Sequence, residues 1–260
     1  MFLLLIASST LAGPPAVELA GHWTAFQGAA RGTARLALPD FSADEWATVA
    51  RGDVVKRRIR GEVGVSGATV DRIVAMAWVA HPIEQVWIGV LDDVHASLVD
   101  GLTERQLPGT TPTHKVLYQA LDLPFPINDR HWVLQIDSNQ ALHGATGAWE
   151  RSWSLDPRGV GALVDVDPSV RLSVDDAVWT PENDGGWLMV PVPGQGTLVV
   201  YQARTDIGGI IPDDLVTRYA MNQLDEMVAQ TRALAERAPR HYVSNHYLIH
   251  APDGAPVPVW

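Results

Sequence analysis

Three histidines near the C-terminal end, His241, His246 and His250, stand five and four residues apart. Two imidazoles at positions i and i+4 of a helix can share a metal ion, and an adjacent Glu then completes a hydrolytic centre. Here no Glu adjoins them and Pro252 follows, so they read as solvated residues of a tail, with no metal expected. Asp92-Asp93 and Asp175-Asp176 are the candidate carboxylate pairs. Sequence neighbours point apart on a helix or strand, so both read as solvated loop acids. Gly61, Gly64 and Gly67 lack the Lys-Ser/Thr of a phosphate loop and the strand–Gly–helix setting of a dinucleotide fold, and they read as a turn. Ser66 has no nucleophile-elbow pattern, and no Ser–His–Asp set stands out among nine histidines. No catalytic residue and no cofactor is assigned.

Composition removes further classes. The chain has no cysteine, which excludes disulfides, thiolate nucleophiles, iron–sulfur clusters and Cys-based zinc sites. Nineteen Lys+Arg against 30 Asp+Glu give a net charge of −11, the wrong sign for a broad nucleic-acid surface. With 260 residues, 47% hydrophobic and 19% charged, the chain is long enough for one large core without covalent staples.

The remaining chemistry is apolar. Ten tryptophans each offer a large surface and one N–H, which suits the lining of a hydrophobic pocket. The elements that would position them follow from periodicity. Strand-like runs occupy 53–60, 68–80, 114–121, 130–138 and 146–155, with a hairpin of 185–192 and 196–206 around Pro193-Gly194. A turn at Gly64–Gly67 joins the first two, and a short strand is expected near 177–180. Ser42-Ala-Asp-Glu45 is a capping box that starts a short helix ending at Gly52. His81-Pro82 opens a helix carrying Ile83, Val86, Trp87, Val90, Leu91, Val94 and Leu98 on one face. Pro212-Asp-Asp214 starts the longest helix, to about residue 236, with Leu215, Tyr219, Leu224, Val228 and Leu234 marking its apolar face. Residues 101–113 read as a loop and 239–260 as an irregular tail.

The short connections make the sheet antiparallel. The order predicts an α+β helix-grip fold: a curved antiparallel sheet wrapped around a long C-terminal helix, with a space between them. Strand parity groups Arg130, Trp132, Leu134 and Ile136 on one face. Trp149, Arg151 and Trp153 share a second, Trp187 and Met189 a third, and Thr197, Val199 and Tyr201 a fourth.

Residues 2–7 are apolar and end at Thr10-Leu-Ala12 before Gly13-Pro-Pro15. The run is too short to span a bilayer and has the form of an export signal cleaved after Ala12, although no Lys or Arg precedes it. Export to a periplasm or the exterior is therefore expected; without cleavage the chain is cytoplasmic. No transmembrane segment is expected in the mature chain. The domain reading is 1–12 signal, 13–40 Gly/Ala/Pro-rich extension, 41–238 helix-grip domain and 239–260 tail.

Two segments carry a family resemblance. Leu123-Pro-Phe-Pro-Ile-Asn-Asp-Arg-His-Trp-Val133 resembles the Pro-rich turn and following strand of START (steroidogenic-acute-regulatory-related lipid transfer) domains. Thr205-Asp-Ile-Gly-Gly-Ile-Ile-Pro-Asp-Asp-Leu215 is similar to that family's final strand-to-helix junction, and Val79–Trp87 matches the wider helix-grip superfamily, which includes polyketide cyclases. His131 stands where the family commonly has Asp, and Ile136 stands where some members carry a second Arg.

The resemblance covers about residues 50–237. It implies binding of one lipid or other hydrophobic small molecule in a cavity, with transient membrane contact and no nucleic acid. The expected ligand-binding residues are Arg130, Trp132, Leu134, Trp149, Arg151, Trp153, Trp187, Met189, Tyr201, Tyr219 and Leu224, with Arg130 and Arg151 meeting a polar head. Burying ~10 methylenes contributes about 8 kcal/mol, equivalent to micromolar affinity before ordering costs. Two alternatives share the fold: a cyclase/aromatase-type enzyme whose cavity Arg, His or Tyr moves protons, and an interaction module whose cavity is filled by its own side chains.

Overall fold

The computed structural model describes residues 13–63, 69–92, 101–123, 127–165, 177–208 and 213–260. The expected signal at 1–12, the Gly64–Gly67 turn with Ser66, Asp93, Val94, Leu98, Pro124-Phe125-Pro126, Asp175-Asp176 and Gly209–Pro212 lie outside these residues.

The elements in chain order are α1 (Ala16–Ala29), α2 (Ala43–Ala50), β1 (Val55–Val63), β2 (Thr69–Val79), α3 (Ile83–Leu91), β3 (Leu102–Gln106), β4 (His114–Leu121), β5 (Arg130–Ser138), α4 (Gln140–Thr146) and β6 (Trp149–Leu155). A 3₁₀ turn (Gly159–Asp165), β7 (Val178–Trp179), β8 (Glu182–Val192), β9 (Gly196–Asp206) and α5 (Asp213–His241) complete the chain. The strands form one sheet in the order β1-β2-β9-β8-β6-β5-β4-β3, with β7 paired to β5. Every pairing is antiparallel except the two-residue β5–β7 contact. This is the helix-grip α+β architecture expected from the strand pattern.

Alternation along the strands sends successive side chains to opposite faces. On the outer face, Val74, Met76, Leu188, Val190, Leu198 and Val200 pack beneath α1 and α2, which contribute Leu19, Trp23, Phe26, Trp46 and Val49. The Gly/Ala/Pro-rich extension at 13–40 is therefore a packed layer of the domain, with α1 as its helix. The capping box forms as expected, the Ser42 hydroxyl accepting from the Glu45 amide and the Glu45 carboxylate from the Ser42 amide. A buried carboxylate locks the layer down: Glu150, fully buried, accepts from the amides of Arg35 at 2.9 Å and Leu36 at 3.1 Å and from the Asn139 side chain at 3.2 Å. Burial outweighs these donors and pushes the Glu150 pKa up.

The inner face looks toward α3 and α5. Gly89 allows those helices to meet, since a Cβ there would stand 3.0 Å from the Ala235 nitrogen and 3.1 Å from the Thr231 carbonyl. Residues 242–260 have little regular structure, yet part of the segment is packed. Tyr242, Ile249, Ala251 and Val257 join the core under α3, and Trp87 Nε1 donates to the carbonyl of His250 at 2.9 Å.

Two elements arise where none was expected. β3 lies in the 101–113 loop, and α4 lies between β5 and β6, capped by Asn139, whose side chain accepts from the Leu142 amide. No described helix is long and apolar enough to cross a membrane.

Candidate functional site

Three apolar patches tile the inner face. The first gathers Leu117, Trp132, Leu134 and Ile136 at the β4–β5 end, with Leu102, Leu121 and Leu155 beside them. The second joins Ile73, Ala75 and Ala203 to Leu224, Ala220 and Met221 of α5. The third places Trp149, Trp187, Met189 and Val199 under α3 and the C-terminal half of α5. Trp153 touches all three. Its ring lies over Gly185, its cross-strand partner, where a Cβ would approach Trp153 Cζ2 to 2.6 Å. Its Nε1 donates to Asn183 Oδ1 at 2.9 Å, so the indole has a fixed orientation.

Tyr201 stands at the centre, with ring centroids 4.8 Å from Trp187 and 5.9 Å from Trp153. Burial pushes its hydroxyl pKa up to about 12, so the group stays protonated at neutral pH. Yet Tyr201, Trp153, Met221 and Met227 all keep part of their surface accessible.

The structure brings most of the expected residues to this face, in different environments. Trp132, Leu134, Trp153, Tyr201 and Leu224 surround the middle of the grip. Trp149, Trp187 and Met189 belong to the packed core: Trp149 meets Trp87 edge-on at 5.4 Å, and Met189 is fully buried. Trp132 is fixed by an Nε1 hydrogen bond to Gln119 Oε1 at 2.7 Å.

Arg151 is half-buried and lines, with Ile136 and Ser138, a groove of about 320 Å³ that opens between β4 and the C-terminal segment Tyr247–His250. It is the expected arginine that reaches open space.

Two expectations need correction. Tyr219 is 66% exposed. It precedes the buried Leu224 by five residues, and at 100° per residue it is turned about 140° away from the inner face. Arg130 is only 2% exposed, but its donors serve the backbone. Nε donates to the carbonyl of Ile207 at 2.6 Å, Nη2 to Gly208 at 3.0 Å, and Nη1 to Asn128 and to Asp129, the latter at 3.3 Å. These contacts make Arg130 a clasp between the start of β5 and the segment leading into α5. His131 faces the other side of the sheet, between the rings of Tyr118 and Trp179. Burial pushes its pKa down, and the imidazole is neutral at pH 7.

A polar cluster absent from the sequence reading lies at the far end of α5. Asp92 follows α3 directly, is 6% exposed, and meets both His241 and His246. It is not a solvated acid, and these two histidines are not a solvated tail. His250 is held in the C-terminal segment by its bridge to Pro256.

No protein-family model matches the chain, and no curated protein sequence aligns with it significantly. Solved structures do match in shape. Human STARD10 superposes with a TM-score of 0.55 at 13% identity, over 82% of this chain and 85% of that one. Human StAR-related lipid transfer protein 5 gives 0.54 at 16% identity, over 85% and 97%. A STAR-related lipid transfer protein from Xanthomonas axonopodis gives 0.50 at 19% identity, over 69% and 98%. The fold is that of START domains, as the Arg130 strand and the junction at 205–215 suggested.

Proposed function

We propose that this protein binds a lipid or other hydrophobic small molecule between the inner face of the sheet and α5. The observation that carries the reading is the apolar, aromatic inner face itself: Trp153 and Tyr201 stand at its centre, and Met221, Leu224 and Met227 of α5 lie against it. Such an apolar, aromatic lining with few polar groups suits a hydrophobic ligand. Lipid transfer appears in the names of two similar structures and supports the same reading through the fold. Proton-moving chemistry is less well served. The Tyr201 hydroxyl titrates far from neutrality, and the Arg130 donors are engaged by the backbone.

The test is native mass spectrometry of protein purified from its own host, followed by titration with a fluorescent fatty acid. A co-purified lipid, quenching of tryptophan emission on titration, and slower amide exchange along residues 217–228 at saturation are the expected results. Saturable binding with unchanged exchange over 217–228 would place the ligand elsewhere. No binding of any apolar probe would favour an interaction module filled by its own side chains.

A further inference from the structure

Asp92, His241 and His246 come from two distant parts of the chain, and their ligand atoms all lie within 4.8 Å of one another. His241 Nε2 stands 2.8 Å and His246 Nε2 3.0 Å from the same oxygen, Oδ2 of Asp92. The other oxygen, Oδ1, accepts from the Tyr247 hydroxyl at 2.8 Å, which fixes the plane of the carboxylate. His246 Nδ1 faces the Tyr247 carbonyl at 2.7 Å. A carbonyl only accepts, so Nδ1 carries the hydrogen, and the neutral ring presents its Nε2 lone pair to the carboxylate. An acceptor facing an acceptor at 3.0 Å needs a positive centre between them, either a proton or a metal ion.

We propose that Asp92, His241 and His246 form a binding site for a divalent transition metal of the zinc class, which clips the C-terminal segment onto the ends of α3 and α5. Two imidazoles and one carboxylate are a nitrogen–oxygen donor set suited to Zn²⁺ and its neighbours. Ligands about 2.05 Å from a tetrahedral ion lie about 3.3 Å apart, so the observed separations need to open by only a few tenths of an ångström. The supporting contacts are those that orient metal ligands elsewhere: a backbone carbonyl on the second imidazole nitrogen and a hydroxyl on the second carboxylate oxygen. His246 is held further by the Tyr242 ring, 4.9 Å away. The site is also placed to matter. Leu91 and Tyr247, which flank it, line the groove that reaches Arg151, so the clip would hold one wall of that groove.

The experiment uses the full chain, stripped with a chelator and titrated with Zn²⁺ by calorimetry and with Co²⁺ by visible absorption. One equivalent is expected to bind with a dissociation constant below about 10 µM, with a tetrahedral-type Co²⁺ spectrum and a higher melting temperature in the loaded protein. His246→Ala and Asp92→Asn should weaken binding at least a hundredfold. Tyr247→Phe keeps all three ligands and should weaken it about ten- to hundredfold, the range for loss of an orienting group. His22→Ala, on α1 at the opposite face of the sheet, should change nothing. If the ligand variants fail to fold, the wild-type stoichiometry and the Tyr247→Phe affinity still decide. Absence of stoichiometric binding by wild type, unchanged affinity in the folded variants, or equal loss in His22→Ala would overturn the proposal and leave a proton-linked cluster.

Discussion

Replacing Arg130 with Leu separates a fold-clasping arginine from a head-group receptor. Four contacts join its guanidinium to the carbonyls of Asn128, Asp129, Ile207 and Gly208. Hydrogen bonds to a charged group contribute about 1.5–3 kcal/mol each, but water can reach some of the freed carbonyls and the losses are not additive. A total of about 3–5 kcal/mol is expected, with the removal of a buried charge offsetting part of the loss. For a chain of this size each kcal/mol lowers the melting temperature by about 2–4 °C, giving a fall of roughly 6–20 °C. The assay pairs a thermal melt with titration of two probes, a fatty acid and an uncharged hydrocarbon dye, at a temperature where the variant remains folded. The clasp predicts a large stability loss and equal effects on both probes. A variant that melts within about 2 °C of wild type and loses only the fatty acid would refute the clasp and restore Arg130 as a head-group partner.

Two carboxylates should give pH dependences of opposite sign. Glu45 is held at a pKa of about 2, below the ordinary 4.5, first by its hydrogen bonds to Arg57. Its contribution is present above 4.5 and lost as pH falls through about 2. Allowing for partial exposure, wild type should lose about 1–2 kcal/mol relative to Glu45→Gln over that window, and an unchanged difference between pH 5 and 2 would count against the pair. Glu150 has a raised pKa because it is buried. Its stabilising effect is complete below its unfolded pKa and falls as pH rises through the raised folded value, so the stability of wild type minus Glu150→Gln should decline as pH rises above the ordinary carboxylate range; a flat difference would contradict this. Glu150→Ala should cost about 2–5 kcal/mol, because the Arg35 and Leu36 amides lose their acceptor, and a loss below 1 kcal/mol in a urea melt would mean that water replaces it. Sequencing of protein from the native host should find Gly13 at the N-terminus if residues 1–12 direct export; an intact Met1 on soluble cytoplasmic protein would exclude it.

Features set by neighbours in sequence were legible. The Ser42–Glu45 box depends on residues three apart, and the β8–β9 hairpin turns at Gly194, whose φ of 72° suits glycine. Parity assigned the faces of β5, β6, β8 and β9 because a period of two has no alternative once the strand is recognised. β3 was missed because its LTERQ sequence is an edge strand with little burial, so no apolar alternation marks it. α1 lies in the 13–40 extension, where Leu19, Trp23 and Phe26 follow helical spacing but the surrounding Gly and Ala dilute that signal. α4 carried both terminal cues, Asn139 before it and Gly147 after it.

The candidate site was harder, because its decisive partners are remote and unspecific in type. Arg130 was placed on the correct strand face, but its acceptors at Ile207 and Gly208 are main-chain oxygens 77 and 78 positions away, and any residue supplies a carbonyl. His246 meets Asp92 across 154 positions. A search for an adjacent acid could not find it, since the acid is supplied by the packing of α3 against α5.

These two remote contacts lie at opposite ends of one element. Arg130 holds the chain just before α5 through Ile207 and Gly208, and Asp92 holds its last residue, His241. Between them α5 meets the sheet through Ala220, Met221, Leu224 and Met227, with polar ties from Arg232 to the Trp78 carbonyl at 2.9 Å and from Asp225 to Lys56 at 2.6 Å. Lifting the helix as a rigid rod would break both end fixtures and uncover the apolar face together, a cost of several kcal/mol by either term alone. Releasing one end breaks only that fixture and the contacts beside it. Arg151 and the groove beside Tyr247 lie at the His241 end, where the proposed metal clip would set how readily that end opens. A ligand in the grip and a metal in the clip, were both bound, would act on the same helix, and neither would require a change in the sheet.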